Sequence, residues 1–201
     1  MYEFNDEFEK VSIKLKTDTS KVLSDVQKYA EQFGWGPLNQ LCYTNTIQQG
    51  DPKKTFEGAG SLAWSLERQE DGSFVKVPRD PRPRETDFTH FNTFYMATSL
   101  YDLYNEIQDV LQVPILRFRA MNMMPACALT MHHDSEVRAH VALKTDEDNF
   151  FVSNRKHIHH IPADNKVRVV DTRHVHTFVN ASVDTRIHIV AGLNTYGREK
   201  C

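Results

Sequence analysis

Cysteine is scarce in this chain: its 201 residues include three, Cys42, Cys127 and Cys201, an odd number without a repeated spacing. This excludes a disulfide framework and a zinc ribbon, and fits free thiols in a reducing compartment. Long apolar runs are missing as well. No stretch approaches the roughly 18 uninterrupted apolar residues of a membrane span. The segment Met1 to Lys10 is acidic, where a signal peptide is basic and then apolar. The expectation is a cytoplasmic protein with no membrane partner. An excess of one charge is also lacking, since 24 Lys and Arg stand against 27 Asp and Glu. Bulk attraction to nucleic acid is therefore not expected, although Arg79 to Arg84 is locally basic. With 40% apolar, 25% charged and 10% aromatic residues, the composition excludes disorder, collagen and coiled coil and indicates one soluble globular domain. A chain of this length buries roughly 70% of its unfolded surface. A metal site would then serve chemistry rather than hold the core.

Histidine marks the internal organisation, because only His90 of the ten precedes residue 130. Residues 1-201 read as a single domain, with an N-terminal helical and loop portion (1-112) packed on a core (113-195) that carries the chemistry. Val22, Val26, Tyr29, Ala30 and Phe33 share one face of a helix over Lys21 to Phe33, with Ser20 as cap and Gly34 as stop. A second helix over Leu100 to Leu111 buries Leu100, Leu103, Tyr104, Ile107, Val110 and Leu111, and Ser99 and Asp102 have capping-box spacing. Both stripes read as packing surfaces and not as cofactor boxes. Residues 66 to 90 are charged, and Pro78, Pro81 and Pro83 block any helix or central strand. The expectation there is a long loop, either a mobile segment or a lid, with no residue in the site.

After residue 112 the texture changes to short alternating or β-branched runs: Ile115 to Met121, Ala126 to His132, Val137 to Leu143, Phe150 to Ser153, Val167 to Val170, His174 to Val179 and Arg186 to Leu193. Turn residues such as Asp146 to Asn149 separate them. Such strands predict an all-β sandwich or barrel, with the N-terminal helices laid on one face.

His132 and Asp134 are two apart, so on a strand they project from one face. His176, on another strand, can supply a third ligand. Two imidazoles and a carboxylate form the facial triad of non-haem Fe(II) oxygenases, which leaves the remaining coordination positions open. His133 competes as first ligand, but adjacent strand residues point to opposite faces, which assigns it to the outside or to a supporting position.

The surrounding pattern is more specific. Pro125-Ala126 precedes His132, Arg138-Ala139-His140 follows, and His176, Asn180, Ser182 and Arg186 form a His-x-x-x-Asn-x-Ser-x-x-x-Arg block. Over residues 115 to 193 the sequence resembles the aspartyl/asparaginyl β-hydroxylase-like branch of the Fe(II)/2-oxoglutarate-dependent dioxygenases. The resemblance implies a mainly β fold with a double-stranded β-helix core, the jelly roll of cupin-like proteins. It implies Fe(II) on His132, Asp134 and His176, with 2-oxoglutarate and O2 as co-substrates. Arg186 would pair with the distal carboxylate of 2-oxoglutarate, while Arg138 and His140 would hold it near its 1-carboxylate. Only arginine offers a rigid fork for that carboxylate. The implied reaction is hydroxylation of an unactivated carbon of an amino acid, free or within a peptide or protein. Where the family has glycine after the proline, this chain has Ala126, and glycine is the residue that tolerates positive φ.

Other residues have plainer readings. Asn180 and Ser182 suit a turn, and the His157 to His160 cluster suits a solvated loop. Cys127 and the methionines at 121, 123, 124 and 131 suit packing. His188 shares strand parity with Arg186. Arg117 and Arg119 alternate on one strand face, either solvated or reaching a substrate carboxylate. Two rival functions use the same residues: a cupin-like metal protein with a reaction independent of 2-oxoglutarate, and a jelly-roll module that binds a metal or ligand without catalysis.

Overall fold

A computed structural model describes residues 9–195. In chain order its strands are β1 (Glu9–Lys14), β2 (Gln40–Cys42), β3 (Thr44–Asn45), β4 (Trp64–Arg68), β5 (Phe74–Pro78), β6 (His90–Phe91), β7 (Ile115–Met123), β8 (Cys127–Ala128), β9 (Arg138–Lys144), β10 (Asn149–Ser153), β11 (His157–His159), β12 (Lys166–Val170), β13 (His176–Asn180) and β14 (Arg186–Leu193). Helix α1 (Thr19–Phe33) follows β1, and helix α2 (Ser99–Leu111) precedes β7. The described residues are mainly β, with two α-helices and antiparallel sheets that form no closed barrel. Among the described residues no helix is long and apolar enough to cross a membrane.

Val22, Val26 and Tyr29 form the buried face of α1, and Gly34, at φ 79, stops it by donating its N–H to the Ala30 carbonyl. The cap is Asp18 and not Ser20: its carboxylate accepts from the Ser20 N–H at 2.9 Å. A carboxylate there also complements the positive end of the helix dipole. At α2 the cap position is Thr98, and the expected Ser99–Asp102 box does not form. Ser99 instead donates its backbone N–H to Asp25 of α1 at 2.9 Å, which ties the two helices together.

A six-stranded sheet, ordered β1-β12-β9-β14-β7-β2, faces a four-stranded sheet ordered β11-β10-β13-β8. The N-terminal half supplies both edges of the larger sheet. Its outer face carries Phe118, Ala120, Ala139, Val141, Ile187 and Ile189, which pack with the apolar faces of α1 and α2 into the main core. Between the sheets, Ala142 and Val170 meet Phe151, Ile161 and Phe178 in a smaller apolar cluster.

Residues 66 to 90 are more ordered than expected. β4 and β5 pair as a separate hairpin, followed by a short 3-10 turn at Glu85–Asp87 and by β6. The proline argument still holds for the large sheet, since Pro78 closes its strand at the end of a two-stranded ribbon. His157–His159 is likewise a strand rather than a loop, because its backbone extends the smaller sheet beside β10. A register shift between Val190 and Gly192, with Arg117 at φ 48, marks a bulge in the β7–β14 ladder.

Candidate metal centre

Strand alternation builds the site. Along β9 and β14, Ala139, Val141, Ile187 and Ile189 face the helices, so the period of two sends Arg138, His140, Arg186 and His188 to the opposite face, toward the smaller sheet. All four are buried. The His140 ring lies 5.2 Å from Phe151 and 5.5 Å from Phe178, and the Arg186 guanidinium stacks 4.0 Å over Phe178. The result is a cationic, aromatic-walled interior between the two sheets.

His132, Asp134 and His176 meet at its edge, each offering a ligand atom within 4.8 Å of the others. His132 and His176 are directly opposed across an antiparallel bridge, exchanging N–H···O bonds of 3.0 and 2.8 Å. Their rings therefore share a face, with centroids 4.4 Å apart. The Asp134 N–H donates to the Thr172 carbonyl at 2.8 Å, which fixes the third residue. Each imidazole has one nitrogen held by a carbonyl. Nδ1 of His132 lies 2.8 Å from the Thr130 oxygen and Nδ1 of His176 lies 2.9 Å from the His174 oxygen. A carbonyl only accepts, so Nδ1 carries the proton and Nε2 of the neutral ring keeps its lone pair. Nε2 of His176 lies 3.7 Å from Oδ2 of Asp134. Burial lowers the His176 pKa more than the His174 carbonyl and Asp134 raise it, which favours the neutral, coordinating form. Two imidazole lone pairs and a carboxylate suit a divalent transition metal.

Arg138 holds the carboxylate in place. Its Nη2 donates to Oδ1 of Asp134 at 2.9 Å, and its Nε lies 2.7 Å from Oδ2. The same Nη2 reaches Oε1 of Glu85 at 3.1 Å, and Glu85 also accepts from Arg117 at 2.6 Å. Burial raises the Glu85 pKa, but Arg138, Arg119 and Arg117 outweigh it and bring the group down to about 2. Burial pulls Arg138 down, and Asp134, Glu85 and Glu136 more than restore it. Glu85 is thus a supporting residue from a stretch expected to contribute none. Nothing in its charged, proline-rich context marks it, because only the fold brings it to β7 and β9. The bulge at Arg117 turns that side chain toward the Gly58 and Gly60 carbonyls as well as Glu85.

Arg186 is different. Among the described residues it has no carboxylate within ion-pair distance, and burial lowers it to about 9. Its Nη2 lies 2.7 Å from Nδ1 of His188. Arginine only donates, so Nδ1 accepts and Nε2 of the neutral His188 carries the proton. Among the described residues that Nε2 and both nitrogens of His140 have no partner, and burial holds both rings well below the usual imidazole range. Buried polar atoms are normally bonded. An arginine without a counter-ion beside unpaired imidazole nitrogens therefore fits an anionic ligand. Phe178, two residues after His176 on the same strand face, was findable by alternation.

His133 is exposed. The Asn180 amide bonds to the Met123, Met124 and Asp184 carbonyls, and its Oδ1 accepts from Ser182, a turn clamp rather than a ligand set. Cys127, Met124 and Met131 are exposed rather than packed, because the chain from 124 to 131 runs along the outer edge of the smaller sheet. Arg117 and Arg119 are buried, not solvated. Ala126 has φ 53, the left-handed conformation that glycine would adopt without strain. Cys201 lies outside the described residues.

No family model matches the chain, and no curated protein matches it. Solved structures similar to it include an oxidoreductase of the 2OG-Fe(II) oxygenase family from Burkholderia pseudomallei, at 18% identity and TM-score 0.37, over 45% of this chain and 50% of that one. AviO1 from Streptomyces viridochromogenes Tue57 matches at 14% identity and TM-score 0.44, over 92% and 87% of the two chains. IDO from Bacillus thuringiensis matches at 8% identity and TM-score 0.35, over 61% and 68%. The match spans half the length of the Burkholderia protein. The similarity to the 2OG-Fe(II) oxygenase family is weak.

Proposed function

We propose that this protein is an Fe(II)- and 2-oxoglutarate-dependent hydroxylase of the aspartyl/asparaginyl β-hydroxylase-like kind, built on a double-stranded β-helix, acting on an amino acid, free or as a side chain. The observation that carries this reading is the convergence of His132, Asp134 and His176 within 4.8 Å. It is supported by their placement beside a buried arginine, Arg186, that has no carboxylate within ion-pair distance among the described residues.

Fe(II), held by Nε2 of both histidines and the Asp134 carboxylate, would supply O2 chemistry in which oxidation of 2-oxoglutarate to succinate and CO2 accompanies hydroxylation of the substrate C–H bond. The protein's own groups set the geometry. The Thr130 and His174 carbonyls fix the ring orientations, and Arg138 and Glu85 fix the carboxylate. Arg186 receives the distal carboxylate of 2-oxoglutarate on its fork, with His188 Nε2 and His140 as further polar contacts. Because Arg138 is already engaged with Asp134 and Glu85, its part in holding the 1-carboxylate is shared with these bonds. Phe151 and Phe178 wall the interior and exclude water.

Anaerobic titration of the Fe(II)-loaded protein with 2-oxoglutarate should produce a weak, saturable visible charge-transfer band. His176→Ala should abolish it, and Arg186→Gln should shift the titration to higher 2-oxoglutarate. Absence of the band from protein shown to hold Fe(II) would refute the reading and favour a reaction independent of 2-oxoglutarate.

A further inference from the structure

A second arginine on the same sheet face likewise has no carboxylate within ion-pair distance among the described residues. Arg119 on β7 is opposite Val190 of β14, which is opposite His140 of β9, so all three side chains project from the same face of the larger sheet. Arg119 is 3% exposed, and its guanidinium makes one hydrogen bond, from Nη1 to Oε1 of Gln40 at 3.1 Å. Among the described residues its Nε and Nη2 have no hydrogen-bond partner, and nor does Oε2 of Glu85. The charges of Glu85 and Arg119 favour each other, but among the described residues no hydrogen bond or ion pair joins them. Glu85 spends Oε1 on Arg117 and Arg138, and Asp134 is held by Arg138. Cys42, opposite Arg119 on β2, is buried, and burial raises its thiol pKa.

A buried guanidinium with two unpaired donor nitrogens is strongly unfavourable unless an anion completes it. Arg186 and Arg119 cannot share one carboxylate. Arg186 is opposite Met123, four residues along β7 from Arg119, roughly 13 Å at strand spacing. This sheet face therefore presents two separate anion-binding points, one on each side of His188.

We propose that Arg119 binds the carboxylate of the substrate, with Oε2 of Glu85 receiving its ammonium group, so that the substrate is a free amino acid. This inference rests on the hydroxylase reading for the role of the bound molecule. It does not rest on that reading for the site itself. A carboxylate takes the Nε–Nη2 edge of the guanidinium, the edge left open by Gln40, in a two-point contact that lysine cannot reproduce. A residue inside a peptide chain has neither a free α-carboxylate nor an ammonium to offer this pair.

Calorimetric titration of the protein, with and without 2-oxoglutarate, against the free L-amino acids and their C-terminal amides tests this. At least one amino acid should bind, and its amide should bind roughly tenfold to hundredfold more weakly, the loss expected for a charged two-point contact. Arg119→Met should lose the same amino acid while keeping its affinity for 2-oxoglutarate. Its thermal midpoint should rise, because an unpaired buried charge has been removed. Arg119→Lys should recover only part of the binding. The proposal is overturned if no free amino acid binds, if the amide binds equally well, or if Arg119→Met loses 2-oxoglutarate instead. A lower midpoint with unchanged amino acid binding would make Arg119 structural and also overturn it. Failure of the hydroxylase reading looks different: 2-oxoglutarate would not bind, or would bind independently of Arg186, whatever the amino acids do.

Discussion

Replacing Glu85 with glutamine keeps the shape of the side chain and removes its charge. In the folded protein this carboxylate accepts from Arg117 at 2.6 Å and Arg138 at 3.1 Å, in a nearly fully buried setting. Its descent from 4.5 to about 2 corresponds to roughly 3 kcal/mol favouring the ionised, folded form. Breaking a buried ion pair by removing one partner costs about 3 to 5 kcal/mol, so the two routes agree. Glu85→Gln should then be less stable than wild type by about 3 kcal/mol at neutral pH, measured as the shift in urea unfolding free energy. The sign with pH follows from linkage. A carboxylate with a depressed folded pKa contributes fully above its unfolded value of 4.5, and that contribution disappears as pH falls toward about 2. The gap between wild type and variant should be constant above pH 5 or so and close across that window. A variant as stable as wild type at neutral pH, or a gap that persists at low pH, would refute the assignment of Glu85 as the charged link between Arg117 and Arg138.

His176→Ala should lose stoichiometric binding of Co(II), followed by its visible spectrum, while the far-ultraviolet circular dichroism remains near wild type; retained binding would remove His176 from the ligand set. Ala126→Gly should stabilise the protein, since φ 53 strains alanine by about 1 to 2 kcal/mol and the extra flexibility of glycine in the unfolded chain offsets only part of that. A lower thermal midpoint would contradict the strain argument. Asn180→Ala should cost about 3 kcal/mol in urea unfolding, because its amide bonds to three carbonyls and its Oδ1 accepts from Ser182. A loss below about 1 kcal/mol would mean that the turn does not depend on this clamp.

The chain by itself determined those parts of the protein that follow from local periodicity. The period of 3.6 in Val22, Val26 and Tyr29, and in Leu100, Leu103, Tyr104 and Ile107, placed both helices within two residues of their observed starts. The period of two put Arg138 with His140 and Arg186 with His188 on one face of their strands, opposite Ala139, Val141, Ile187 and Ile189, which the fold packs against the helices. Alternation put His132 and Asp134 on one face, the family resemblance joined His176 to them, and the fold brings the three together. Features of end geometry and long-range contact were not legible. Asp18 caps α1 in place of Ser20 because a cap is chosen by which side chain reaches an unpaired N–H, a matter of a single residue. The hairpin of β4 and β5 needed only a partner for each strand, which proline at a strand end allows. Glu85 lies 53 residues from Arg138 in the chain, and no local pattern links them. The burial of Arg119 could not be read either, because the same alternation serves a solvated face and a covered one. Only tertiary packing decided that these cations lie inside, the smaller sheet covering Arg186 and His140 and the N-terminal segment around Gln40 and Gly60 lying against Arg119, where low polarity makes each unpaired charge demand an anion.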